Sequence, residues 1–166
     1  KHWGIGYRGS LLVKIPEDMR LFKQTTIGQV IIMGRGTFES LPGQKPLPER
    51  INLVLSTKDL KNPGILVCHS LRELAETLKK YPGKEVFLIG GEEVFLQLLP
   101  YCTEAYVTKI QNTYPADRFF PNLDETEAWE LVTAGPPKNH QGLEYCFTVY
   151  RNRQPLDLAG LGQDPV

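Results

Sequence analysis

Three apolar runs each end in residues suited to holding phosphate. Val30-Ile31-Ile32-Met33 leads into Gly34-Arg35-Gly36-Thr37, Ile51 to Leu55 into Ser56-Thr57-Lys58, and Glu85 to Ile89 into Gly90-Gly91-Glu92-Glu93. Small residues let a backbone approach a ligand, and a helix that follows them offers unpaired amides and the positive end of its dipole. Arg35 adds a planar cation whose fork matches phosphate oxygens. Each segment alone reads equally well as a tight turn or a solvated charge, but three such strand ends in one sheet point to a dinucleotide. A carboxylate supplies a second chemistry. In Ile15-Pro16-Glu17-Asp18-Met19-Arg20-Leu21-Phe22-Lys23, Pro16 suits a first helical turn. Ile15, Met19 and Phe22 then share an apolar stripe with Asp18 beside them, while Glu17 and Arg20 point elsewhere. Asp18 is either a helix-dipole carboxylate worth about 0.3–1 kcal/mol or the polar wall of a ligand pocket, and the residues alone lean slightly to the first. Arg50, after Pro46-Leu47-Pro48-Glu49, could clamp a ligand carboxylate with both arms of its fork. It could equally be a strand-start surface charge, which is the stronger reading in isolation.

The elements that must position these groups are legible from pattern. Val30 to Met33, Ile51 to Leu55, Ile65 to Cys68 and Glu85 to Ile89 are continuous apolar or β-branched runs, as in strands covered on both faces. Helices are predicted over Pro16 to Lys23, Thr37 to Leu41, Leu71 to Lys80 and about Glu92 to Leu99. Ser70 can cap the third, with Glu73 placed for a capping box and Pro82-Gly83 marking its end. Ala105 to Ile110 and Tyr145 to Arg151 read as strands without a clear helix between them, so they should pair antiparallel. The expected architecture is α/β: a central, mostly parallel twisted sheet with an antiparallel C-terminal edge and helices on both faces. Ligands of such sheets lie at the carboxyl ends of the strands. The domain is expected to span residues 1–153, and 154–166, which lacks periodicity, to be a disordered tail.

Composition narrows the function classes. A chain of 166 residues with 41% hydrophobic and 23% charged residues fits one domain with a real core, which excludes disorder as the main state. Lys plus Arg and Asp plus Glu both number 19, so a protein living on nucleic-acid phosphates is not indicated. No apolar run approaches the length of a membrane span, and the opening residues do not resemble a secretory signal. Cys68, Cys102 and Cys146, like His2, His69 and His140, are scattered, which reads as reduced thiols in a cytoplasmic protein and gives no support to a metal site.

Taken in order, these segments resemble dihydrofolate reductase of the bacterial single-domain type. The resemblance is carried by Trp3-Gly4-Ile5-Gly6, by Ile15 to Lys23 and by Val30-Ile31-Ile32-Met33-Gly34-Arg35-Gly36-Thr37-Phe38-Glu39-Ser40. It continues through Pro46-Leu47-Pro48 with Arg50, Ile89-Gly90-Gly91, Tyr106-Val107-Thr108 and Asp117-Arg118-Phe119-Phe120-Pro121, and so covers Trp3 to about Arg151. It implies NADPH-dependent reduction of 7,8-dihydrofolate to tetrahydrofolate in one-carbon metabolism, by hydride transfer to C6 with protonation at N5. It also implies sensitivity to antifolate inhibitors, a monomer, a cytoplasmic location, and no nucleic acid or membrane partner. By position, Asp18 becomes the pterin carboxylate supported by Thr108. Met19, Phe22, Leu41 and Leu47 would sandwich the pterin and benzoyl rings, and Arg50 would hold the glutamate α-carboxylate. The cofactor would be bound by Ile5 and Gly6, by Gly34, Arg35, Gly36 and Thr37, by Ser56, Thr57 and Lys58 at its 2′-phosphate, and by Ile89, Gly90, Gly91, Glu92, Glu93, Val94 and Phe95. Gly90-Gly91 matches a pair joined in the family by a cis peptide. Ile5 to Leu11 would be a mobile lid over the nicotinamide, steadied by Asp117.

Three departures stand against the family pattern. Its first strand, which lines both the pterin and nicotinamide sites, falls upstream of Lys1, and trimming of the N-terminus is the expected reason. Val13 sits where bacterial relatives often carry Trp, and Glu93 where some carry Arg. Two rival readings follow: a riboflavin-pathway type of reductase on the same fold, and a catalytically impaired homologue that still binds folate and NADPH.

Overall fold

Val30, Ile31, Ile32 and Met33 are all essentially inaccessible to solvent, the condition of a strand hydrogen-bonded on both edges and covered on both faces. A computed structural model describes residues 2–158. In chain order its elements are β1 (Gly4–Tyr7), β2 (Ser10–Leu11), α1 (Pro16–Thr26), β3 (Val30–Gly34), α2 (Arg35–Ser40), β4 (Ile51–Leu55), β5 (Ile65–Cys68) and α3 (Leu71–Leu78). There follow β6 (Val86–Gly90), α4 (Glu92–Leu98), β7 (Glu104–Ile110), β8 (Arg118–Phe119), β9 (Trp129–Ala134), β10 (Lys138–His140) and β11 (Leu143–Asn152), with short 3-10 turns at Pro42–Gln44, Leu99–Tyr101 and Leu123–Glu125. The chain divides into two compact units: one built from the residues up to Arg20 together with Leu98–Leu156, the other from Leu21–Gln97.

The second unit holds the parallel sheet, in the order β5-β4-β3-β6. Its register pairs Ile32 with Leu53 on one side and Leu88 on the other, and Met33 with Val54 and Gly90. Ile31, Met33, Phe38, Val54 and Ile65 form its core, with Leu41, Leu47, Phe87 and Ile89 packed on the margin. The capping signal at Ser70 is realised with a variation. Ser70 Oγ accepts from the Glu73 amide at 3.1 Å, but the Glu73 carboxylate accepts from the amide of His69, not Ser70, at 2.6 Å.

The first unit is antiparallel. Every residue of β7 from Glu104 to Ile110 pairs with β11, which also carries β9 and β10. The expected late antiparallel pairing is present, but these strands form a sheet of their own and do not extend the parallel one, and β8, β9 and β10 had no strong sequence signal. A third sheet, β2-β1-β8, lies where the sequence suggested only a loop. Arg8 and Gly9, with φ of 48° and 80°, make a two-residue turn that closes β1 on β2. Gly4 is obligatory here, since a Cβ would stand 2.8 Å from that of Ala116. Leu99, Leu123, Trp129 and Tyr150 form this unit's core, with the Trp3 ring 6.1 Å from Phe120 and 5.9 Å from Tyr150. Beyond the last strand, the Leu156 amide donates to the Pro100 carbonyl at 2.9 Å, and the expected disordered tail falls from residue 159 onward outside the described residues.

Tyr150 is completely buried and donates its hydroxyl to Asp124 Oδ1 at 2.7 Å, while Lys109 Nζ lies 3.0 Å from Asp124 Oδ2. The tyrosine hydroxyl, and after it the lysine, hold the Asp124 carboxyl below its ordinary value, against a smaller opposing effect of burial. A carboxyl lowered on folding stabilises above about pH 4 and loses that contribution as pH falls through the lowered value. Denaturant midpoints measured at pH 6 and pH 3 should therefore fall further for the native chain than for Asp124→Asn. Ser70→Ala should cost about 1 kcal/mol in the same experiment at neutral pH, through loss of the α3 cap.

Candidate functional site

In the antiparallel unit, the first turn of α1 presents two adjacent carboxylates that grip different strands. Pro16 opens the helix, and Glu17 and Asp18 occupy the turn where negative charge meets the positive end of the dipole. Thr108 of β7 donates its hydroxyl to Asp18 Oδ1 at 2.6 Å, which fixes the carboxylate's orientation. Glu17 is not simply solvated. Its Oε1 lies 2.8 Å from Lys138 Nζ of β10, and its Oε2 accepts from the buried Tyr145 hydroxyl of β11 at 2.6 Å. The lysine and tyrosine donors hold the Glu17 carboxyl below its ordinary value, and the same contact raises the Tyr145 phenol.

The apolar stripe of α1 is buried only at its first residue. Ile15 is buried, but Met19 is 51% and Phe22 37% exposed. Their spacing on the helix is as predicted, yet they are not core residues and are available to a ligand. Ile5 and Gly6 lie in β1. The hairpin that contains them is tied through Asp117, whose amide donates to Gly6 O at 3.0 Å and whose Oδ2 accepts from the Arg8 amide at 3.0 Å.

In the parallel unit, the sheet order makes the three suspected strand ends neighbours. Gly34 at the end of β3 pairs with Leu55 at the end of β4, and Met33 pairs with Gly90 at the end of β6. The Gly34–Thr37 turn, Ser56–Lys58 and Gly90-Gly91 are thereby brought together along one carboxyl edge, as an open α/β sheet arranges a nucleotide site. Gly90-Gly91 is cis, and a Cβ on either residue would lie 3.4 Å from Thr37 Oγ1. Gly34 would bring a Cβ to 3.3 Å from Val94, which is buried, so the Val94 side chain supports the turn from within and only its backbone can face a ligand. α2 and α4 are short, at six and seven residues, so donors here are individual amides more than long dipoles. Arg35 lies 3.7 Å from Glu39 across an exposed surface, a pairing too weak to withhold it from an anion. Ser56 Oγ accepts from the Lys58 amide at 3.1 Å, and the Ser56 carbonyl lies 2.8 Å from His69 Nδ1. Glu92, Glu93 and Phe95 follow on α4, with Phe95 donating its amide to Gly91 O at 3.0 Å.

The same unit carries Arg50. Its Nε donates to Pro48 O at 3.0 Å, a bond that does not use the Nη groups. Partial burial pulls the guanidinium below its ordinary value, Glu49 opposes that pull, and the group stays cationic. Leu41 and Leu47 sit half-buried on the core margin. Sequence reading passed over Glu17, Lys138, Tyr145 and Asn52. A usable signal existed for the last, an amide inside the apolar run Ile51 to Leu55. Among the described residues no cluster of His, Cys, Asp and Glu could hold a metal ion, and no helix is long and apolar enough to cross a membrane.

The family model for dihydrofolate reductase matches residues 1–152. The dihydrofolate reductase of Bacillus subtilis is 35% identical over 94% of this chain and 92% of its own length. That of Mycobacterium leprae is 40% identical over 88% of this chain and 89% of its own. Among solved structures, dihydrofolate reductase from Enterococcus faecalis complexed with NADP(H) and RAB-propyl superposes with a TM-score of 0.75 at 34% identity, covering 89% of this chain and 88% of that one. By sequence and fold, the chain belongs to the dihydrofolate reductase family.

Proposed function

We propose that this chain reduces 7,8-dihydrofolate to 5,6,7,8-tetrahydrofolate with NADPH, and the observation that carries the reading is the Asp18 carboxylate held by Thr108 in the first turn of α1. A pterin edge offers a 2-amino group and a ring nitrogen side by side, and a carboxylate with one oxygen already oriented by a hydroxyl can accept from both. Asp18 favours the protonated substrate and does not itself deliver the N5 proton, which water brings. Met19, Phe22, Leu41 and Leu47 supply apolar surface for the pterin and benzoyl rings, and the Nη groups of Arg50 take the glutamate α-carboxylate in two parallel bonds.

The residues of the parallel unit fit the cofactor. Gly90 and Gly91 leave beside Thr37 a space that any side chain would fill. The amides of Gly34–Thr37 with Arg35 suit the pyrophosphate, and Ser56, Thr57 and Lys58 offer two hydroxyls and a cation to a 2′-phosphate, which favours NADPH over NADH. When bound, NADPH supplies the hydride that C6 receives. Ile5 and Gly6 are the residues of the β1–β2 hairpin assigned to the nicotinamide in this reading, and Asp117 steadies the hairpin's tip. The protein is taken to act as a cytoplasmic monomer, open to antifolate inhibitors.

The direct test follows NADPH oxidation by absorbance with and without dihydrofolate. Substrate-dependent oxidation supports the reading, whereas binding of both ligands without oxidation would make the chain an impaired homologue. A riboflavin-pathway reductase has no call for a carboxylate clamp such as Arg50, and the family match favours folate. Asp18→Asn should keep the fold and lower turnover roughly 100-fold at neutral pH, recovering in part at low pH as substrate arrives already protonated. Unchanged turnover at neutral pH would remove Asp18 from the chemistry. Arg50→Leu should weaken dihydrofolate binding by about 2–5 kcal/mol with little effect on NADPH, as read by titration of each ligand.

A further inference from the structure

Asn52 is the second residue of β4, between Ile31 of β3 and Ile65 of β5, and is 3% exposed. An amide at the centre of a buried parallel sheet is costly unless its hydrogen bonds are made. Here they are made, and all go to one loop. Asn52 Oδ1 accepts from the Leu47 amide at 2.9 Å, while Nδ2 donates to Leu47 O at 2.9 Å and to Arg50 O at 3.0 Å. The side chain thus treats Leu47 as a neighbouring strand would, exchanging both backbone bonds with it.

The loop needs such an anchor. Pro46 and Pro48 have no amide hydrogen, so Leu47 carries the only backbone donor between them. Glu49 adopts φ of 60°, its carbonyl accepting from the Gly28 amide at 2.7 Å. The Arg50 side chain then folds back on Pro48 O. Asn52 fixes the backbone on both sides of this reversal, at Leu47 and at Arg50. Two proline-fixed φ angles and three bonds from Asn52 hold the backbone from which the Arg50 side chain springs, and the Nε–Pro48 bond ties the base of its fork to that backbone.

We infer that Asn52 is the positioning residue for Arg50: it sets the angle at which the fork meets the substrate's glutamate carboxylate, without touching substrate itself. The inference rests on the reading of Arg50 as that carboxylate's partner. A bidentate pair is demanding in angle, so loosening the loop should cost affinity for the carboxylate selectively and leave the pterin chemistry in place.

The experiment compares dihydrofolate with dihydropteroate, which lacks the glutamate, in steady-state kinetics of the native chain, Asn52→Leu, Asn52→Ser, Arg50→Leu and the Asn52→Ser/Arg50→Leu double variant. Circular dichroism and thermal melts identify the folded variants, and Asn52→Ser serves where Asn52→Leu fails to fold. Asn52→Ser should raise KM for dihydrofolate about 10-fold, change KM for dihydropteroate less than about threefold, leave kcat near native, and add little to Arg50→Leu in the double variant. If KM rises equally for both substrates, or for neither, in a folded variant while Arg50→Leu separates them, the inference fails and the Arg50 reading stands. If Arg50→Leu does not separate the two substrates, the Arg50 reading fails and the inference with it.

Discussion

The constraint on which the parallel unit depends is that β3 must satisfy backbone bonds on both edges while hiding side chains on both faces. Val30 to Met33 meet it by pairing with β4 and β6 at once. A parallel neighbour on each side means that all three strands end at the same edge of the sheet. The chain therefore turns there three times within a small area, and Gly34, Ser56 and Gly90 are gathered without any need to attract one another. The burial that holds the unit together is also what concentrates its small and polar residues.

The antiparallel unit positions charge by a different means. Asp18 and Glu17 are neighbours in sequence, and helical geometry sends them in different directions, one to Thr108 on β7 and the other to Tyr145 and Lys138 on β11 and β10. Each carboxylate is matched to its donors: one hydroxyl on Asp18 Oδ1, and a hydroxyl plus a cation on Glu17, one to each oxygen. The first turn of α1 is thus tied to the sheet by the carboxylate that has a partner on each oxygen, while Asp18 has one oxygen held by Thr108.

Much of this was legible in the residues. The strands Ile51 to Leu55 and Ile65 to Cys68 end where their apolar runs end, because burial on both faces leaves a continuous signal. The Gly90-Gly91 turn was visible in the residues, but its cis bond and the Asp18–Thr108 contact came through the family resemblance, since nothing in spacing alone joins Asp18 to a residue so far away. The β1–β2 hairpin was hidden because its strands are short and only partly buried, with polar residues at the turn. Met19 and Phe22 share the helix face that periodicity assigned them, but periodicity does not report whether protein covers that face, and here it does not. Lys138 and Tyr145 could not be tied to Glu17 from sequence, as a contact spanning more than a hundred residues leaves no local pattern.

The isolation of Leu47 between two prolines has a spectroscopic consequence. It is the one amide proton in Pro46–Pro48, and it is spent on a bond inside the sheet interior. Its exchange with solvent should follow the opening of β4 and not the fluctuations of a surface loop. A single resonance would then report, residue by residue in time, whether the loop moves on its own or only when the sheet beneath it breathes.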